Sequence, residues 1–321
     1  MAEPAEAPRL LGDIGGTNAR FALQRPGGGA DAIRVLPTAD FRNLADAVNA
    51  YLDGFAARPV VRRAAVCVAG PVLGDHFVLT NSDWEFSIEA TRRALDLERL
   101  HVVNDFAAVA LAVPHLDRAS LVQVGGAPQA ERAPIVVMGA GTGLGVCGLT
   151  PMAGGWLPLP GEGGHATLPA ASAREEAVFA RIRAQYGHCS AERVLSGGGL
   201  VNLYRALHEV DGSAADPVQP EDVTRRAESG EARADEAVEM FCEATGTVAG
   251  NLALTFAALG GVYFAGGIIR LLGPRFVASG FRARFEAKGR FRPLLQTVPA
   301  WQIAQPFSAM VGLASLLDAE G

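Results

Sequence analysis

Apolar runs closed by glycine or by a polar pair alternate along the chain with stretches of helical period. Arg9–Leu23 has apolar residues on either side of a glycine turn, which predicts a β-hairpin with Gly15-Gly16 at its bend. After a Gly27-Gly28-Gly29 turn come a strand near Ile33–Leu36 and a helix from Asn43 to about Phe55. Ala64–Ala69 is a continuous apolar run and reads as a buried strand closed by Gly70-Pro71. Phe77–Thr80 is a short strand leading into Asn81-Ser82-Asp83-Trp84, and Ser87 caps a helix to about Leu97 with Glu89 in its first turn. Leu100–Val103 reads as a mostly buried strand that ends in Asn104 and Asp105, followed by a helix over Ala107–Val113 that Pro114 stops.

The pattern of the opening hairpin returns in Ile135–Leu149: apolar strand, glycine-threonine turn, apolar strand. Leu159–His165 is a polar, glycine-rich loop. Ser172–Gly187 is a helix with a capping box from Ser172 and Glu175 and a Gly187 stop. A further helix starts at Ser190–Gly197, with Glu192 in its first turn. Helices follow over Leu200–Val210, Glu221–Glu228 and Ala232–Ala258, then a buried strand at Val262–Ala265, Gly266-Gly267 and a helix opening at Ile268. Trp301–Ala304 is a last strand and Ser308–Leu317 a last helix. No charge occurs from Ala244 to Ile269, but six glycines do, so a buried helix and a buried strand fit better than one membrane span. This order of strands and helices suits a mixed sheet flanked by helices.

With 321 residues, 49% of them hydrophobic and 19% charged, the chain is long enough for two globular domains. A net charge of −6 argues against a nucleic-acid partner held by phosphate neutralisation. Cys67, Cys147, Cys189 and Cys242 are scattered without metal-ligand spacing and read as buried thiols in a reducing compartment. The acidic opening lacks an apolar leader, so a cytoplasmic protein without membrane contact is expected.

The two glycine-threonine turns carry the chemistry. A glycine pair lets backbone N–H groups line a concavity suited to phosphate oxygens. Glycines at every second position (139, 141, 143, 145) do not match G-x-G-x-x-G, and the only lysine, Lys288, is far from either turn, so dinucleotide and Walker schemes drop out. Backbone amides with the Thr17 and Thr142 hydroxyls remain as phosphate donors, and Asp13 at a strand end could hold Mg²⁺ through water. Two copies of one turn suggest a duplicated architecture gripping a nucleotide. Asp105, between them in sequence, is either a helix cap or an acid with chemistry to do. Glu162 and His165 offer one acceptor and one switchable donor, or are ordinary loop residues. Glu192 complements a helix dipole or binds a ligand. Gly266-Gly267 is a packed strand-to-helix turn or a ligand contact.

The two turns resemble the phosphate segments of the sugar-kinase, actin and heat-shock-chaperone ATPase superfamily. More narrowly, Gly12–Arg20, Asn104-Asp105-Phe106, Gly139–Val146, Leu159–His165 and Ser190–Gly197 resemble the bacterial glucokinase family. That resemblance implies a two-domain α/β actin-like ATPase (ribonuclease-H-like) fold with a cleft between the domains. Residues 1–114 with 306–321 would form the small domain and 115–305 the large one, the C-terminal helix returning to the first. It implies phosphorylation of glucose to glucose 6-phosphate by MgATP in a homodimer, with Asp105 as general base. Asn104, Asp105, Glu162, His165 and Glu192 would bind the sugar. Gly12, Asp13, Ile14, Gly15, Gly16, Thr17, Gly141, Thr142 and Gly143 would hold the phosphates, and Gly266 and Gly267 would lie against the adenosine. Two rivals on the same fold are weighed. A sugar-responsive regulator would carry a helix-turn-helix ahead of the first turn, where only about nine residues stand. A partner-driven ATPase would lack a sugar site and need a further domain. A related sugar-kinase family with a zinc motif is disfavoured, because no cysteine cluster follows His165.

Overall fold

The computed structural model describes residues 7–25, 27–79, 83–126 and 132–319. In chain order the first elements are strands β1 (Arg9–Ile14), β2 (Asn18–Gln24) and β3 (Ala30–Pro37), helix α1 (Leu44–Asp53), β4 (Arg63–Val68), β5 (His76–Val78), β6 (Glu85–Ser87), α2 (Ile88–Ala94), β7 (Arg99–Asn104) and α3 (Asp105–Ala112). Then come β8 (Leu121–Gly125), β9 (Ile135–Ala140), β10 (Leu144–Met152), β11 (Gly155–Gly161), α4 (Ala173–Tyr186), α5 (Gly197–Val210), α6 (Pro220–Glu228) and α7 (Ala232–Thr255). The chain ends with β12 (Gly261–Ala265), α8 (Gly267–Leu272), α9 (Pro274–Ala278), α10 (Phe281–Glu286), α11 (Arg292–Thr297), β13 (Ala300–Ile303) and α12 (Ser308–Asp318). The strand expected over Phe77–Thr80 spans His76–Val78; Thr80, Asn81 and Ser82 lie outside the described residues, as do residues 1–6 of the acidic opening.

The described residues divide into two compact units. One holds those up to Arg118, Ala153–Pro160 and those from Gln305 onward; the other holds the rest.

In the first unit five strands lie in the order β3-β2-β1-β4-β7, with β1–β2 antiparallel and β1–β4–β7 parallel. Both faces of its centre are covered, which is why Ala64–Val68 of β4 reads as an unbroken apolar run. Leu10, Ile14, Phe21 and Val66 pack with Leu44, Val48 and Tyr51 of α1 on one face. Leu11, Ala22, Ala65 and Cys67 pack with Ala108 of α3 and Met310, Leu313 and Leu317 of α12 on the other. Arg9 fastens α12 through Asp318 at 2.5 Å, and Arg63 donates to the Leu317 carbonyl at 2.9 Å. The sequence reading of Leu100–Val103 as mostly buried is corrected: all four are half-buried, because β7 is the last strand in the sheet order and one side of it stays open.

In the second unit β10-β9-β12-β13-β8 form the sheet, over a core of Val136, Met138, Phe264, Phe276, Phe281 and the buried stripe of α7. The uncharged stretch resolves into the second half of α7 and then β12, and no helix among the described residues is long and apolar enough to cross a membrane. Ser172 caps α4 by accepting from the Glu175 amide at 3.1 Å, and Gly187 ends it at φ 77°. The reciprocal half of the expected capping box is missing. The buried Glu175 carboxylate accepts from the Ala171 amide at 2.6 Å and pairs with Arg284, a stronger partner than the Ser172 amide.

Candidate active site

The first glycine turn closes when the Gly15 amide donates to the Asn18 carbonyl at 2.9 Å, leaving Gly16 and Thr17 as its amide donors. Thr38, fully buried just after β3, braces the turn twice. Its amide donates to the Thr17 carbonyl at 2.9 Å and its hydroxyl to the Gly15 carbonyl at 3.0 Å. Gly12 serves packing, since a Cβ there would stand 2.7 Å from Val66. Ile14 turns its side chain into the core and offers only backbone.

Asp13 is opposite Arg20 across the hairpin, and the guanidinium donates to its Oδ2 at 3.0 Å. The Cys67 thiol donates to Oδ1 at 3.7 Å. Burial pushes that thiol well above its usual pKa, and the Asp13 and Asp105 carboxylates push it the same way. Both acids thus act on one buried sulfur, as the register Asp13–Cys67–Val103 allows. The fold family implies Mg²⁺, and a single half-buried carboxylate suits an ion that keeps most of its waters and takes phosphate oxygens. Among the described residues no three His, Cys, Asp or Glu side chains gather as a metal cage.

The capping question at β7–α3 resolves in favour of Asn104. Its Oδ1 accepts from the amides of Phe106 and Ala107 at 2.9 and 3.2 Å, and its Nδ2 donates to the Gly70 carbonyl at 3.2 Å. Asp105 is the first helical residue, its Oδ1 on the Phe106 amide at 2.9 Å. Asn104 therefore keeps one N–H for a ligand, while the helix start needs no further cap from Asp105.

In the second unit the Gly141 amide donates to the Gly143 carbonyl at 2.9 Å, leaving Thr142 and Gly143 as amide donors. The Gly197 amide, at the start of α5, holds the Gly141 carbonyl at 2.9 Å. Residues 164–168 run beside 189–192 through bonds from Glu192 to Gly164, Ala191 to Ala166 and Leu168 to Cys189. His165 and Glu162 face each other at 3.8 Å, both well exposed, so Glu162, His165 and Glu192 fall in one loop cluster beside the turn.

Glu192 is not in the first turn of a helix, as its sequence suggested. α5 opens five residues later, where Ser196 caps the Gly199 amide, and Glu192 lies in the turn before it. The cause is long-range: Glu192 Oε2 accepts from the Leu144 amide at 2.9 Å, and a Cβ on Gly143 would meet that oxygen at 2.5 Å. A dipole-complementing role drops out. Gly266 and Gly267 divide: Gly266 has φ 90° and lies where a Cβ would meet the Ala140 carbonyl at 2.4 Å, whereas Gly267 faces open space.

Sequence reasoning missed Thr38 and the Leu144 amide, whose partners lie 21–48 positions away. The Arg20 pairing was within reach, because a hairpin bending at Gly15-Gly16 sets positions 13 and 20 opposite each other.

A sequence model of the glucokinase family matches residues 10–320. A glucokinase from Paramagnetospirillum magneticum is 50% identical over 310 residues, covering 96% of this chain and 97% of that one. The bifunctional protein glk of Burkholderia pseudomallei is 48% identical over 315 residues, 98% of this chain but 49% of that protein. The chain thus spans about half the length of this and two similar Burkholderia relatives. Among solved structures, a glucokinase from an Antarctic psychrotroph superposes with a TM-score of 0.87 at 35% identity, over 97% of this chain and 99% of its own. With its two α/β units on the actin-like plan, the chain belongs to the glucokinase family.

Proposed function

We propose that this chain transfers the γ-phosphoryl group of ATP to the 6-hydroxyl of glucose, with Asp105 as general base. The observation that carries this reading is the placement of Asp105 as the first residue of α3, its Oδ1 on the Phe106 amide, directly after Asn104, whose side chain caps the helix. Phosphoryl transfer runs through a loose transition state, so positioning and charge matter most. Asp105 accepts the hydroxyl proton as the sugar oxygen attacks, help worth roughly 10²–10⁴-fold. Asn104, Glu162, His165 and Glu192 hydrogen-bond the sugar hydroxyls, and a sugar lacking one would leave its partner unpaired. The turns at Gly15-Gly16-Thr17 and Gly141-Thr142-Gly143 donate amides to the phosphates, and Gly267 leaves room beside them for the nucleoside. Mg²⁺, oriented by Asp13, would neutralise charge on the phosphates when bound. A homodimer in the cytoplasm is part of the same reading.

The test is a coupled assay for sugar phosphate over a panel of hexoses and phosphoryl donors, with calorimetric glucose titrations of Glu162→Gln and Glu192→Gln. Glucose with MgATP should be turned over, and each variant should bind glucose roughly 5- to 150-fold more weakly, as expected for a lost hydrogen bond to a buried hydroxyl. No phosphorylated product from any sugar, or unchanged glucose affinity in both variants, would overturn the proposal.

A further inference from the structure

The second glycine turn belongs by sequence to the nucleotide, yet two contacts tie it to the sugar side. The Leu144 amide, the first of β10, donates to Glu192 Oε2 at 2.9 Å. The same oxygen occupies the space where a side chain on Gly143 would begin, 2.5 Å from a Cβ there. Two residues earlier in the turn, a Cβ on Gly141 would meet nothing within 4 Å. Neither Gly141 nor Gly143 has a positive φ, so backbone conformation demands glycine at neither. What Gly143 provides is room for the Glu192 carboxylate.

We propose that Gly143 is a positioning residue for the sugar: the turn fixes Glu192 by one oxygen, leaves the other for a sugar hydroxyl, and so couples glucose binding to the nucleotide turn. This rests on the reading of Glu192 as a sugar ligand. A carboxylate shared by a backbone amide and a hydroxyl cannot shift toward one without loosening the other, which links the two ligands in both directions.

Calorimetry with glucose alone, then with a non-hydrolysable ATP analogue and Mg²⁺ alone, tests this on Gly143→Ala, Gly141→Ala and Glu192→Gln. Gly143→Ala should weaken glucose at least about tenfold and the analogue less than about threefold, while Gly141→Ala leaves the glucose constant within about twofold. Equal glucose losses in both turn variants, or a loss confined to the analogue in Gly143→Ala, would overturn the inference. So would unchanged glucose affinity in Gly143→Ala when Glu192→Gln binds weakly. Should Glu192→Gln also bind normally, the sugar-site reading beneath it fails as well. Amide exchange gives an independent reading on the unmodified protein: glucose alone should slow exchange at Leu144 severalfold, and an unchanged rate would overturn the proposal.

Discussion

The Thr38 hydroxyl donates to the Gly15 carbonyl at 3.0 Å, so a fully buried residue sets the shape of the first glycine turn. Thr38→Val keeps the volume and removes that donor. The turn then loses one of two braces, and the KM for ATP should rise about 5- to 20-fold with the glucose constant within about twofold. Thr38→Ser keeps the donor and should restore the ATP constant. Steady-state kinetics on both variants decides it: a Ser variant as poor as the Val variant would make Thr38 a packing residue only.

Asn104 and Asp105 should separate in kind. Asp105→Asn keeps the shape, and kcat should fall at least about 10²-fold with glucose affinity nearly intact. Asn104→Ala loses the cap and should lower stability by about 1 kcal/mol in urea unfolding. A kcat loss below about tenfold in Asp105→Asn would remove the general base from the mechanism.

Arg284 grips Glu175 with one Nη2 at 2.8 and 3.0 Å, joining α4 to α10, and also reaches Glu243 and Thr247. Glu175 is 1% exposed. Glu175→Ala strands much of a buried guanidinium and should cost about 3 kcal/mol in chemical unfolding. Replacing both partners by apolar residues should cost less than the single change. If the single variant unfolds at the unmodified midpoint, the pair contributes nothing.

The Glu89 carboxyl is pulled down to about 2, first by Arg92 and then by Arg93. A carboxyl depressed in the folded state stabilises it fully above the unfolded pKa near 4.5, and that contribution fades as pH falls through 4.5 toward 2. The group is solvent-exposed, so the effect should be small and weaker in salt. Urea midpoints of Glu89→Gln and the unmodified chain should differ most at pH 6, approach each other below pH 4.5 and converge only near pH 2; a gap that widens on acidification would reverse the assignment.

Local chemistry was legible where the partner was near in sequence. The hairpin at Gly15-Gly16, the Ser87 and Ser172 caps and the Gly187 stop are all set within a few residues, and each was read correctly. Adjacent Asn104 and Asp105 have equal title to a cap, and only the backbone path of β7 into α3 settles which takes it. Ser190-Ala191-Glu192 has the composition of a helix start, but Leu144, 48 positions away, holds the glutamate outside one. Burial of β7 was misjudged because a strand's apolar content does not state its place in the sheet. Roles of the five expected sugar-site residues came from the family's motif, since exposed polar side chains such as Glu162 and His165 carry little pattern of their own.

The packing of α12 against α3 bears on the order of synthesis. Gly312 of α12 lies against α3 so closely that a Cβ there would stand 1.8 Å from the Ala108 carbonyl. The helix that opens with Asp105 therefore waits for a packing partner about 200 positions downstream. At ordinary elongation rates that is a delay of about 10–40 s, during which Leu11, Ala65 and Cys67 lack their cover. On a ribosome the second unit can settle first, and the acid assigned to the chemistry is seated only once α12 has been made.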